Sequence, residues 1–202
     1  MRGYRQTMLH PTTFWTTRFS RLKMVLPLFA TTLLAVMPGL AQKAKTEKLA
    51  PYFPTPYSVV EKMLELAEVK ASDTVFDLGS GDGRIVVMAA EKFGATAIGV
   101  EFDDSLVTQS RMSIKRKGLD KKARIIAGDM MVQDYSSATV LTVYLLPTSN
   151  EKMLPILQKQ LKPGTRMVCH DFEFSKLTPV KTETIEDDGE GRSHTLFLYV
   201  LQ

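Results

Sequence analysis

The stretch Val75-Phe76-Asp77-Leu78-Gly79-Ser80-Gly81-Asp82-Gly83 constrains the chain more than any other. A short apolar strand, Thr74–Leu78, carries an acid near its end, runs through three alternate glycines and enters a helix-patterned segment from Asp82 to Phe93. Glycines at that spacing let the backbone turn tightly and approach a ligand without a Cβ in the way. A strand, glycine turn and helix in this order belong to parallel sheets with right-handed crossovers, which bind ligands beyond the carboxyl ends of their strands.

The rest of the pattern agrees. Thr96–Glu101, Arg124–Ala127, Thr139–Tyr144 and Arg166–His170 read as strands, and Asp103–Lys117 and Asn150–Leu161 as the helices between them. Upstream, Thr55-Pro56 is suited to open a helix, with Thr55 as cap and Pro56 in the first turn. Val59, Val60, Met63, Leu64 and Ala67 would be its apolar face. Val180–Ile185 and Thr195–Leu201 flank the turn-rich Asp187–Ser193 and are expected to pair as an antiparallel hairpin. Residues 172–179 are too few for a full helix before that hairpin. The expected fold is α/β, a doubly wound Rossmann-like sheet, mostly parallel, with a C-terminal antiparallel hairpin.

The net charge of +4 does not describe this domain. Residues 1–41 hold Arg2, Arg5, Arg18, Arg21 and Lys23 and no acid, which leaves 21 of the 26 basic residues to face all 22 acidic ones. No nucleic-acid partner is therefore expected. The leader has a basic stretch, an apolar run from Met24 to Ala41 and small residues at Gly39 and Ala41, the pattern of a secretory signal cleaved near Ala41. The run is also close to the length of a membrane anchor, and the acid-free start fits an organellar presequence. Three parts follow: a signal peptide or membrane anchor over 1–41, a polar tether over 42–50, and a domain over 51–202. The domain is expected to be exported or membrane-anchored; Lys43, Lys45 and Lys48 after the apolar run weaken the case for export and leave the cytoplasmic face open. The single cysteine, Cys169, allows neither an intrachain disulfide nor a cysteine-based zinc cluster, and reads as a small core residue.

Nicotinamide enzymes place G-x-G-x-x-G after the first strand, to seat a pyrophosphate on a helix N-terminus. Here the spacing is G-x-G-x-G, and Asp77 and Asp82 flank it. Two carboxylates repel a pyrophosphate and attract an ammonium or sulfonium group. Glu101 ends the second strand, where an acid accepts vicinal ribose hydroxyls. Asp129 follows the third, where a carboxylate can accept an adenine amino hydrogen with Met130 or Met131 against the ring. Each acid alone also fits a strand-end cap, a helix N-terminal acid or an ordinary turn. At three successive strand ends they supply contacts for an amino acid, a ribose and a base.

These segments resemble the motifs of class I S-adenosylmethionine (SAM)-dependent methyltransferases. Phe76–Gly83 is similar to the glycine-rich first motif, Gly99-Val100-Glu101 to the second and Gly128-Asp129 to the third. Pro51-Tyr52-Phe53-Pro54-Thr55-Pro56, Val143-Tyr144-Leu145-Leu146-Pro147 and His170-Asp171-Phe172 resemble one branch of that class. It comprises the small bacterial relatives of the mitochondrial lysine methyltransferases that act on the c-subunit of ATP synthase and on the adenine nucleotide translocase. The resemblance spans about residues 51–202 and implies a seven-stranded sheet. It also implies SAM as cofactor, held by Thr55, Asp77, Gly79, Gly81, Asp82, Gly83, Glu101 and Asp129, and a protein lysine as acceptor.

Tyr144 stands where nitrogen methyltransferases of this class often carry Asn/Asp-Pro-Pro-Tyr. That sequence is absent here, which counts against DNA-base or glutamine methylation. Tyr144 is the candidate for lining the methyl-transfer channel, and His170 and Asp171 for positioning or deprotonating the acceptor. Packing and structural roles stay open for all three. His10 and His194 receive no role, and no metal-ligand spacing is visible. A small-molecule methyltransferase and a non-catalytic SAM- or nucleoside-binding protein are the alternatives.

Overall fold

The computed structural model describes residues 52–202, so the leader, the tether and Pro51 lie outside it. The elements in chain order are α1 (Tyr57–Leu66), β1 (Thr74–Leu78), α2 (Arg84–Glu91), β2 (Thr96–Glu101), α3 (Asp104–Arg116), β3 (Ala123–Ala127), β4 (Val140–Val143), α4 (Pro147–Gln160), β5 (Arg166–His170), β6 (Lys181–Ile185) and β7 (His194–Val200). The strands form one seven-stranded sheet in the order β3-β2-β1-β4-β5-β7-β6. Strands β1 to β5 pair in parallel, while β7 runs antiparallel to both β5 and β6. The order reverses at β1, whose neighbours are β2 and β4, which opens a crevice at the end of β1.

Side-chain alternation along the strands feeds two cores. Val75, Ala97, Val140 and Val168 face α1, α2 and α3, while Phe76, Ile98, Leu141 and Met167 face α4 and the buried ring of Tyr135. The predicted apolar face of α1 is buried as read, through Val59, Val60, Met63 and Leu64. Cys169 is fully buried among apolar neighbours, and burial pushes its thiol well above the ordinary range. No helix forms in 172–179, and among the described residues no helix is long and apolar enough to cross a membrane.

Three helix starts differ from the sequence reading. The first is α1, where Pro56 takes the cap position with extended backbone and no side chain caps. Thr55 does not cap it, because its hydroxyl lies 3.2 Å from His170 Nδ1 instead. The second is α2, which begins at Arg84 rather than Asp82. Gly83 is its cap residue at φ 79, a left-handed conformation that a helix cannot include. The third is α4, which begins three residues early, at Pro147. Proline suits the first turn because its missing N–H has no intrahelical partner there.

Candidate active site

The carboxyl ends of β1, β2 and β4, with the turn after β3, open onto one cleft. Asp77, Gly79, Gly81, Asp82, Glu101, Asp129, Met130 and Tyr144 line it together with Tyr52, Phe53 and Thr55 from the segment before α1. Seven of the eight predicted cofactor residues thus converge. Gly83 does not line the cleft: a Cβ there would lie 2.7 Å from Ser110 Cβ, so its role is to let α2 pack on α3. Gly81 has φ 54, and a Cβ on it would come 2.7 Å from the Tyr52 ring. The loop therefore has to be bare where it meets the cleft wall.

Asp77 is buried beside its register partner on β4, Thr142, whose hydroxyl donates to Oδ1 at 2.8 Å. Desolvation raises its pKa to about 7, opposed by the Thr142 hydrogen bond and reinforced by the charges of Glu101 and Asp82. A carboxyl so placed gains most from a cationic partner.

Glu101 organises the glycine loop. Its Oε2 accepts from Gly81 N at 2.7 Å, and its Oε1 accepts from Phe102 N at 2.9 Å and Asp103 N at 2.8 Å. Of the roughly four acceptor positions of a carboxylate, one remains, on Oε2. Asp129 caps the 3-10 turn Met130–Val132 through Met131 N at 2.8 Å and presents Met130 to the cleft.

Asp82 departs from expectation. Its carboxylate is already met by Arg84, with Nη2 at 2.7 Å and Nε at 3.0 Å, and Arg84 Nη1 also holds the carbonyl of Thr55 at 2.8 Å. Asp82 therefore fastens the segment before α1 over the glycine loop, leaving Asp77, Glu101 and Asp129 as the other carboxyls of the cleft. Tyr52 joins this group; burial first, then the Asp82 charge, hold its phenol above the ordinary range.

Of the three predicted catalytic residues only Tyr144 lines the cleft. His170 and Asp171 stand behind it. The His170 ring lies 3.9 Å from the Tyr144 ring, and Asp171 Oδ2 is 3.5 Å from its hydroxyl. His170 is fully buried, and desolvation, only partly offset by Asp171, lowers its pKa to about 4. Burial therefore favours its neutral form. His170 Nε2 meets His194 Nδ1 at 2.8 Å, and His194 Nε2 meets Asp188 Oδ2 at 3.1 Å. Burial pushes the Asp188 carboxyl up, but the Glu190 amide, the His194 ring and Arg192 outweigh it and bring it to about 2. His194, Asp188 and Arg192 escaped the sequence reading. The only signal was a histidine opening the last strand just after an acidic turn.

An alternate-glycine loop with no Cβ toward the ligand, a buried carboxyl ready for a cation and a strand-end glutamate fit SAM, and fold and site together define a SAM-dependent methyltransferase. The chain belongs to the family of the ANTKMT methyltransferase domain, whose family model matches residues 77–181. It is 43% identical to a protein-lysine N-methyltransferase of Saccharolobus islandicus, over 75% of this chain and 93% of that protein. It is 30% identical to the human lysine N-methyltransferase named for the C-subunit of ATP synthase, over 64% of this chain and 54% of the human protein. Among solved structures it resembles an RNA methyltransferase from Salinibacter ruber in complex with S-adenosylhomocysteine. That match has 43% identity and a TM-score of 0.68, and covers 74% of this chain and 94% of the other.

Proposed function

We propose that the protein transfers the methyl group of SAM to the side-chain amine of a protein lysine, and that it works at a membrane. The observation that carries the lysine reading is the 43% identity over 93% of the Saccharolobus protein-lysine N-methyltransferase. The name of the Salinibacter relative points to RNA instead. The charge of residues 42–202, 21 basic against 22 acidic, gives little attraction for a polyphosphate. The membrane reading rests on the basic flank and apolar run of the leader.

When bound, SAM supplies a methyl group on a sulfonium, open to in-line displacement. The work left to the chain is binding, orientation and the exclusion of water. Asp77 and Glu101 hold the cofactor's polar groups, and Arg84 and Asp82 keep the Tyr52–Thr55 segment over it. A lysine acceptor has to arrive neutral, which costs about 4.6 kcal/mol at pH 7 in water. Burial against Tyr144 and Phe172, whose rings lie 6.3 Å apart, lowers that cost by disfavouring the ammonium. Tyr144 is the residue that meets the acceptor. His170 and Asp171 fix its ring and hydroxyl from behind.

The test is transfer from tritiated SAM into membrane and soluble fractions of the source cell, followed by hydrolysis of labelled protein. Label recovered as methyl-lysine supports the proposal. Label only in RNA, or only in a low-mass extract, replaces the acceptor class. SAM binding with no transfer to any fraction leaves a binding protein.

A further inference from the structure

We propose that His170, Asp171 and His194 form a binding site for a divalent first-row transition metal ion of the zinc type. His170 Nε2, His194 Nδ1 and Asp171 Oδ2 face one another, at 2.8, 3.2 and 3.3 Å. Donors about 2.1 Å from such an ion stand roughly 3.0 to 3.4 Å apart at octahedral or tetrahedral angles. The triangle is already within a few tenths of an ångström of that size.

The surroundings are those of metal-binding histidines, whose second ring nitrogen is held by an oxygen partner. His170 Nδ1 is 3.2 Å from the Thr55 hydroxyl, and His194 Nε2 is 3.1 Å from Asp188 Oδ2. Asp188 is itself fixed by Glu190 N at 2.7 Å, Arg192 N at 3.2 Å and Arg192 Nη2 at 3.2 Å. Asp171 has φ 57, a backbone conformation few residues other than glycine adopt. Its N–H donates to Thr195 O at 2.7 Å and its Oδ1 accepts from Thr195 N at 3.0 Å, which turns Oδ2 toward the two imidazoles.

Two imidazole nitrogens and a carboxylate oxygen are the donor set that borderline-soft divalent ions take, and a dication meets all three at once. His170 is fully buried and its neutral form is the one that coordinates, while the Asp171 side chain is 27% exposed and gives a path of entry. Three protein ligands leave at least one position open, and the Tyr144 hydroxyl lies 3.5 Å from Asp171 Oδ2. If the acceptor is an amine, as proposed above, the nearby positive charge would favour its neutral form; the metal site itself does not depend on that reading.

The experiment titrates Co2+ and Zn2+ into the chelator-treated full chain, following Co2+ absorption and heat, with SAM binding measured in the same samples as a check on folding. The expected result is one saturable equivalent, abolished in His194→Gln and Asp171→Asn. In Asp188→Asn it should be weakened about 10- to 100-fold. Saturable SAM binding without metal binding overturns the proposal and leaves a proton-sharing cluster. Metal binding unchanged in both His194→Gln and Asp171→Asn overturns it as well, by placing the ion elsewhere.

Discussion

Asp77 and Thr142 sit opposite each other on adjacent parallel strands, joined by a 2.8 Å hydrogen bond that lowers an otherwise desolvated carboxyl. With its pKa at about 7, Asp77 is only half ionised near neutrality. SAM affinity should therefore rise with pH through about 7, and binding below that pH should release a proton. Calorimetry in buffers of different ionisation enthalpy measures the release. Thr142→Val should weaken binding at pH 7 by about tenfold, since a hydrogen bond to a charged group contributes about 1.5–3 kcal/mol. A pH-independent affinity would remove Asp77 from the cofactor's contacts.

The same raised pKa affects the cofactor-free fold. Between about pH 4 and 7 the folded state holds a proton that the unfolded state has lost. Asp77 then contributes stability that is full below pH 4 and gone above 7. Chemical denaturation should show stability falling with rising pH across this window, with the slope reduced in Asp77→Asn.

Glu101→Gln is expected to keep its shape but lose the anionic acceptor for three backbone N–H groups. One of the three belongs to Gly81 in the glycine loop. SAM affinity should drop about 10- to 100-fold, the range for charged hydrogen bonds. Fluorescence or calorimetric titration checks it; wild-type affinity would show that the loop keeps its form without the charge.

Gly99 lies in β2 under the loop, and a Cβ there would come 2.4 Å from Ser80 Oγ and 2.7 Å from Ile125 Cδ1. Gly99→Ala should destabilise the fold by about 1–3 kcal/mol, as overpacking does, with a matching fall in the thermal midpoint. An unchanged midpoint would mean that Ser80 and Ile125 move aside freely.

Tyr144→Phe removes the hydroxyl near Asp171 and leaves the ring against His170. SAM binding should stay within about twofold, while kcat falls by about tenfold or more. Equal loss of both would place the hydroxyl at the cofactor rather than the acceptor.

The cofactor half of the site was legible because its parts are local. Asp77, Gly79 and Gly81 lie within five residues, and the register of parallel strands sets Glu101 and Asp129 beside them. What the sequence hid is non-local. β7 enters between β5 and β6, so His194 lands 2.8 Å from His170 although 24 residues separate them. Nothing in strand periodicity says which strand will be the neighbour. The pairing of Asp82 with Arg84 was hidden for another reason. It depends on Gly83 turning left-handed between them, which brings two side chains two residues apart to the same side.

The late insertion of β7 also divides the molecule in time. As the chain leaves the ribosome, β1 to β5 and α1 to α4 emerge before the strand that completes the sheet. The cofactor cleft can be assembled while the His170 end of β5 still lacks its neighbour. Truncation before His194 would remove one imidazole of the His170, Asp171 and His194 cluster without deleting a single cleft-lining residue. A lineage could exchange this last strand, and with it the imidazole that meets His170 behind Tyr144, while leaving the cofactor cleft as it was.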